Sequence, residues 1–240
     1  MPVLVRAPRR RILVALLGGG VLMATAEALA YLEAFPGAGW SVVVAALLSG
    51  LLAVAAGLTR ADLGLDRAGL RTGARWSAVI VAAACVIVAV GVAVPVTREL
   101  FLNDRYTGLR GAIWAALVWI PLRTVLAEEL FFRGVLLGGL VRLVGTRRAL
   151  LVGSLLFGLW HVATSLNLTN GNRGLRDVFG GGPIGQVAGV IAAAAVTSVA
   201  GFVLGWLRLR SGSLLTPVAL HWAVNGAGAI GAAAAWQLTR

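Results

Sequence analysis

Apolar residues form long runs along this chain, and short polar or arginine-bearing segments separate them. Seven runs are long enough for a membrane-spanning helix, because a bilayer core about 30 Å thick takes roughly 20 apolar residues. The runs cover approximately residues 12–32, 40–58, 76–96, 111–141, 149–166, 184–207 and 213–236. This pattern predicts an all-α, polytopic transmembrane helix bundle of seven spans, with eight spans as the alternative count.

The first run resembles a signal peptide, because four arginines precede it and Ala28-Leu29-Ala30 mimics a cleavage site. We interpret it as an uncleaved first span, since the sequence that follows is itself suited to the membrane. Residues 59–75 are predicted to form a cytoplasmic loop, with a short interfacial helix as the alternative. We therefore expect one integrated membrane domain, with N-terminal spans and this loop in residues 1–110 and a catalytic helical core in 111–240.

Composition supports a membrane protein and excludes a soluble enzyme. The 240 residues are 59% hydrophobic and 12% charged, with a mean hydropathy of +0.91, so polar groups are too few to coat a globule. All 21 basic residues are arginine. Abundant Ala, Val, Gly and Arg without Lys is typical of a GC-rich bacterial genome, which predicts a bacterial source. The single Cys85 excludes an intrachain disulfide.

The net charge of +12 indicates membrane topology. With a cytoplasmic N-terminus, inner segments hold 13 arginines and outer segments hold 6, as the positive-inside rule requires. We predict a multi-pass protein of the cell (plasma) membrane with its N-terminus in the cytoplasm and the lipid bilayer as its environment. A nucleic-acid partner is not expected, and the oligomeric state is not specified by the sequence.

Ionisable and polar residues inside the apolar runs are the candidates for chemistry, since such groups are costly in hydrocarbon. They form three motifs: Glu128, Glu129 and Arg133; Phe157 and His161; and His221 and Asn225. At 1.5 Å per helical residue, Glu128 lies about 21 Å from the inner end of its helix, and His161 and Asn225 each lie about 18 Å from theirs. The three motifs are therefore predicted to meet in one layer.

Helical spacing suggests separate roles within the motifs. Glu129 and Arg133 stand four residues apart and can neutralise each other, whereas Glu128 is rotated by about 100° toward another helix. A carboxylate and an imidazole can deprotonate a water molecule. A second imidazole and a carboxamide can donate hydrogen bonds to an oxyanion. The residues thus predict a hydrolytic site.

The same residues also allow structural interpretations, as alternatives to a hydrolytic site. The Glu-Glu-x-x-x-Arg motif could be an ion-pair network that locks a helix bundle. Phe157 is interpreted as a ring that packs against the His161 imidazole, and Glu27 as a solvated residue near the outer end of the first span. Gly201 and Gly205 fit a small-residue helix contact.

The three ordered motifs resemble the CPBP family of intramembrane proteases, which contains CAAX prenyl endopeptidases and bacteriocin-processing or self-immunity proteins. All seven motif positions match, and the resemblance covers about residues 110–230. Members of the family commonly have eight spans, whereas 15 residues follow Asn225 here.

The resemblance implies an endopeptidase whose membrane cavity opens toward the cytoplasm and which acts on a peptide or membrane-protein substrate. Glu128 would activate water with His161, and His221 and Asn225 would stabilise the oxyanion, while Glu129 and Arg133 would support the site. The family is usually labelled metalloprotease. No cofactor is certain, and zinc held by Glu128, His161 and His221 is an open alternative, although no HExxH spacing is present.

Two other function classes stay open at this point. A non-catalytic bacteriocin-immunity or scaffold protein could retain the motifs without turnover. A proton-coupled transporter would also keep glutamate and histidine at mid-membrane, but it would normally show paired, interrupted halves, and the sequence shows no internal repeat.

Overall fold

The computed structural model describes residues 9–166 and 168–239, and helices dominate throughout this part of the chain. Within the described residues, the only β pairing is an isolated antiparallel bridge between Asn103 and Asn172. The α-helices are α1 (Arg9–Tyr31), α2 (Ser41–Ala55), α3 (Arg60–Leu63), α4 (Arg67–Ala93), α5 (Pro95–Arg98), α6 (Leu109–Trp114), α7 (Leu126–Glu129), α8 (Leu137–Val144), α9 (Thr146–Thr164), α10 (Arg173–Phe179), α11 (Gly182–Ser211) and α12 (Leu215–Leu238). The predicted all-α class is confirmed.

Five helical stretches of the described chain are long and apolar enough to cross a membrane: Arg9–Tyr31, Ala38–Ala55, Arg60–Ala93, Gly182–Ser211 and Leu215–Leu238. Two further helical stretches, residues 109–144 and α9, carry the first and second motifs. The bundle architecture is thus observed, while the count of seven or eight spans stays a prediction.

One end of the bundle collects the arginine-bearing helix ends, and we call it the arginine-rich end. Arg142 at the end of α8 forms a two-point salt bridge of 2.9 Å with Asp62 in α3. Arg208 near the end of α11 donates at 2.9 Å to two carbonyl oxygens of α3. Arg9 at the start of α1 donates to the Leu143 carbonyl at 2.6 Å. The ends of four helices are therefore tied together here.

The opposite, arginine-poor end is held together by loop contacts. The Asn172 side chain donates to the Leu100 carbonyl at 3.0 Å, and it also caps α10 by accepting from the Leu175 amide at 2.9 Å. Trp236 near the end of α12 donates to the Asn103 carbonyl at 3.1 Å. These bonds join the segment before α6 to the segment before α10 and to the end of α12.

Residues 109–144 form one continuous helix, which we call the long helix, and its winding changes along its length. Two π-helical segments, Ala115–Val125 and Leu130–Leu136, flank α7 on either side. The first segment contains Pro121, which has no amide hydrogen to donate. Local π winding is frequent at functional sites. Here it flanks the turn that carries Glu128 and Glu129.

The predicted loop at residues 59–75 is mostly helical, because α3 spans Arg60–Leu63, as the alternative of a short helix allows, and α4 already begins at Arg67. Glycines explain the early start, since they let this part of α4 approach the turn between α11 and α12. A Cβ atom at Gly69 would lie 2.6 Å from the Gly212 carbonyl oxygen, and one at Gly73 would lie 2.6 Å from Ser213 Oγ. Contact with the turn therefore extends the helix past the apolar run.

Close packing of α9 against α11 positions the second motif. A Cβ atom at Gly201 would lie 3.2 Å from the Phe157 side chain, and one at Gly158 would lie 2.5 Å from the Ala194 carbonyl oxygen. Gly205 likewise faces Leu150. The small residues let the two helices approach closely, which fixes the height of Phe157 and of His161 one turn further along.

Candidate active site

The three motifs converge around the carboxylate of Glu128. Its Oε2 atom lies 3.9 Å from Nε2 of His161 and 4.0 Å from Nε2 of His221. The three side chains come from α7, α9 and α12. Glu128 and His221 are buried, and His161 is partly exposed. One carboxylate is thus flanked by two imidazoles at distances just beyond direct hydrogen bonding.

The backbone of α9 orients His161. Its Nδ1 atom lies 2.8 Å from the Phe157 carbonyl oxygen. Because a carbonyl only accepts, Nδ1 carries the hydrogen, and in the neutral ring Nε2 presents its lone pair toward Glu128. The Phe157 ring packs edge-on against the imidazole with a centroid distance of 4.5 Å. Phe157 therefore orients His161 through both its carbonyl group and its ring.

Glu129 joins Arg133 to His221. Its fully buried Oε1 atom accepts from Nη1 of Arg133 at 2.8 Å and from Nδ1 of His221 at 2.8 Å. Arg133 also stacks over the Phe157 ring, with its guanidinium carbon 3.8 Å from the ring centroid. The sequence predicts the pair with Arg133, but it gives no signal for the contact with α12. Glu129 therefore fixes the ring orientation of His221 as well as the charge balance.

Glu128 retains an unused acceptor in this site. Its Oε2 atom is buried and accepts no hydrogen bond from any described residue. A single water molecule can bridge polar atoms that are about 4 Å apart. The position between Glu128 Oε2 and the two Nε2 atoms therefore suits a water molecule that contacts a carboxylate and an imidazole together.

The donor types around Glu128 suit zinc, but their spacing does not. A tetrahedral zinc ion with ligands at about 2.0 Å holds its ligand atoms roughly 3.3 Å apart. The distances of 3.9 and 4.0 Å from Glu128 to His161 and His221 exceed this value. Among the described residues, no group of three metal-ligating side chains lies close enough to hold a metal ion. Zinc at these residues stays the alternative that the sequence leaves open, and the observed spacing does not favour it.

A cavity of about 1090 Å³ reaches Glu128 from the arginine-poor end. Asn225 and Glu128 both line this cavity, so residues of the first and the third motif share it. Residues from the loop before α6, such as Thr107, line its outer part. Glu27 and Arg123 line it as well, and the sequence suggests no role for either residue.

The arginine count and the family resemblance lead to different predictions about the side of the membrane on which the cavity opens. The arginine count predicts a cytoplasmic arginine-rich end, whereas the family resemblance implies a cavity open toward the cytoplasm. The cavity is lined at its mouth by residues of the opposite, arginine-poor end, including Tyr31 and Asn172. The two expectations are therefore incompatible, and an orientation measurement must choose between them.

Comparison with protein families identifies the part of the chain that carries the site. Residues 110–227 match the Rce1-like family model, described as type II CAAX prenyl endopeptidase Rce1-like. This stretch is similar to that family. The match confirms the family resemblance, and the Rce1-like stretch contains all three motifs. Comparison with curated proteins and with solved structures gives no match.

The Rce1-like match supports a coarse functional class. The family is one of endopeptidases, which favours an enzyme that acts on peptide or protein substrates in a membrane. The apolar helices of the chain agree with a membrane location.

Proposed function

We propose that this protein is an intramembrane endopeptidase that hydrolyses a peptide bond of a peptide or membrane-protein substrate with water activated by Glu128 and His161. The observation that carries the proposal is the placement of Glu128 Oε2 between the Nε2 atoms of His161 and His221. Glu128 also lines a cavity of about 1090 Å³, which is large enough for an extended peptide.

In the first step, a water molecule between Glu128 and His161 attacks the scissile carbonyl carbon. Glu128 accepts one proton of this water, and Nε2 of His161 accepts a hydrogen bond from its other hydrogen. The new carbon–oxygen bond forms as the carbonyl π electrons move to oxygen, which becomes an oxyanion. His161 is held in the required tautomer by the Phe157 carbonyl.

His221 and Asn225 stabilise this oxyanion in the proposal. If His221 carries both ring protons, Nδ1–H donates to Glu129 and Nε2–H points toward the reacting centre. The buried cluster of Glu128, Glu129, Arg133 and His221 then has no net charge, which limits the cost of burying it. The Asn225 amide, on the wall of the same cavity, supplies the second donor.

Collapse of the tetrahedral intermediate completes the reaction. The carbon–nitrogen bond breaks, the leaving nitrogen takes the proton from the Glu128 carboxylic acid, and the oxyanion electrons restore a carbonyl group. The products are a new carboxyl terminus and a new amino terminus. Glu128 returns to its charged form, so the cycle needs no other reactant.

Glu128→Gln tests this proposal, because it keeps shape and removes the base. We expect turnover of peptides to fall by about 100-fold or more without loss of thermal stability. Glu33→Gln is the matched control, since Glu33 is exposed and is not among the residues that line the cavity. Membrane peptides from cells with each variant identify the substrates. A biological effect that survives Glu128→Gln would instead support the immunity or scaffold interpretation.

Orientation is a second part of the proposal. Because arginine favours the cytoplasmic side, we propose that the N-terminus is cytoplasmic and that the cavity opens on the outer face of the cell membrane. In a Cys85→Ala background, a cysteine at Thr107 should react with an impermeant thiol reagent added outside intact cells. A cysteine at Arg67 should stay unlabelled. The reverse labelling pattern would show that the cavity opens to the cytoplasm.

A further inference from the structure

Arg123 is the second arginine within the apolar part of the long helix, and its surroundings differ from those of Arg133. Its guanidinium carbon lies 5.8 Å from the Trp40 ring centroid and 5.2 Å from the Trp119 ring centroid. The guanidinium group also occupies the space that a side chain at Gly39 would need. Two aromatic faces and a glycine thus hold this cation in place.

Arg123 has no carboxylate partner among the described residues, whereas Arg133 is paired with Glu129. Glu27 lines the same cavity but forms no ion pair with Arg123 in the described part of the chain. A half-buried guanidinium group with free donors is suited to bind a carboxylate through two parallel hydrogen bonds. Aromatic stacking leaves the edge of the group, where these donors lie, available.

The position of Arg123 relative to Glu128 determines which part of a bound peptide the Arg123 side chain can contact. Arg123 precedes Glu128 by five residues of one helix, which corresponds to at most about 7.5 Å along the axis toward the arginine-poor end. Both residues line the same cavity. An extended peptide advances about 3.3 Å per residue. With the length of the arginine side chain added, a group about two to four residues from the scissile bond would lie beside Arg123.

We propose that Arg123 is a specificity residue that binds a carboxylate of the substrate about two to four residues from the bond that is cut. This inference rests on the proposed peptidase function. The carboxylate can belong to the C-terminus of the substrate or to an acidic side chain, and both have the same chemistry at this position. Arg105, which is exposed and lines the outer part of the cavity, adds positive charge along the path of entry.

Three fluorescent decapeptides of alanine, valine and leucine serve as probes. The first has a free C-terminal carboxylate, the second is its C-terminal amide, and the third is an amide with one aspartate three residues from the end. Binding is measured by fluorescence anisotropy in a maltoside detergent, which contains no phosphate, and cleavage is measured separately. Binding does not depend on turnover, so a failed peptidase function and a failed subsite are distinguishable.

The parent protein should bind a carboxylate peptide about 10-fold to 100-fold more tightly than the neutral amide. Arg123→Gln should abolish that preference and leave affinity for the amide unchanged, which a merely structural role would not do. Arg123→Lys should retain part of the preference. Arg110→Gln, a change at an exposed arginine of the same end, is the control and should bind like the parent.

The pattern across the peptides identifies the source of the carboxylate. A preference for the first peptide alone assigns it to the C-terminus, and a preference for the third assigns it to a side chain. Equal binding of all three peptides by the parent protein overturns the proposal. So does an Arg123→Gln variant that weakens all three peptides equally, since that result would indicate a structural or lipid-binding arginine.

Discussion

Replacing Arg133 by methionine removes a buried charge and keeps most of the side-chain volume. Arg133 is 3% exposed, and its partner Glu129 is fully buried. Breaking a buried ion pair on one side typically costs about 3–5 kcal/mol, because the remaining charge is left without its partner. The substitution should therefore destabilise the folded protein far more than a neutral exchange of similar size would.

Contacts around the pair place the expected cost near the lower end of this range. Glu129 keeps its hydrogen bond from His221 after the exchange, so the carboxylate does not become isolated. The exchange also removes Nη2 of Arg133, a buried donor with no partner among the described residues. The exchange also removes the stacking of the guanidinium group on Phe157, and this loss adds to the cost. We expect a loss of about 3 kcal/mol in the free energy of unfolding.

Unfolding of purified variants by denaturant in detergent measures this loss, and a double-mutant cycle isolates the pair. Glu129→Gln should also destabilise, because it leaves Arg133 charged and unpaired. The double variant Glu129→Gln/Arg133→Met should be more stable than the sum of the two changes predicts, by at least about 1 kcal/mol. An Arg133→Met protein as stable as the parent, or strictly additive effects, would refute the assignment of a coupled buried pair.

Further changes test the parts of the site separately. Asn225→Ala should lower kcat by about 100-fold with little change in KM, as expected for loss of one oxyanion donor; an unchanged kcat would remove Asn225 from the mechanism. Gly201→Val should displace Phe157, which lies 3.2 Å from the added Cβ, and so lower activity through His161. Normal activity of that variant would mean that α9 is not positioned by this contact. Gly153→Ala, a change in α9 where a Cβ atom meets open space and which does not line the cavity, should behave like the parent.

Sequence spacing predicts the residues of the site because helical geometry is nearly independent of context. Rise per residue places Glu128 and His161 at similar depth, and the structure brings them to 3.9 Å. The four-residue interval likewise predicts the pair between Glu129 and Arg133. The depth of each residue and the four-residue pair depend on distances along each helix, which the sequence contains directly.

Contacts between helices are not contained in the sequence in this way. The hydrogen bond from His221 to Glu129 joins residues 92 positions apart, and it depends on the rotation of α12 against the long helix. The same is true of Arg123 and Glu27, whose only sequence signal is a charge within an apolar run. Their place in the cavity follows from the tilt and packing of several helices, which a hydropathy pattern does not specify.

The π winding of the long helix has a consequence for tolerance to changes in chain length. A π-helical turn holds about one residue more than an α-helical turn, so the segment Ala115–Val125 stores a surplus of backbone. Deletion of the exposed Leu117 could be absorbed by rewinding to α-helix before the two glutamates. Deletion within the α-helical stretch Leu137–Val144 has no such reserve, and each later residue would rotate by about 100°. Single deletions that preserve the site should therefore be tolerated in the π-helical segments of this helix and not in its α-helical stretches.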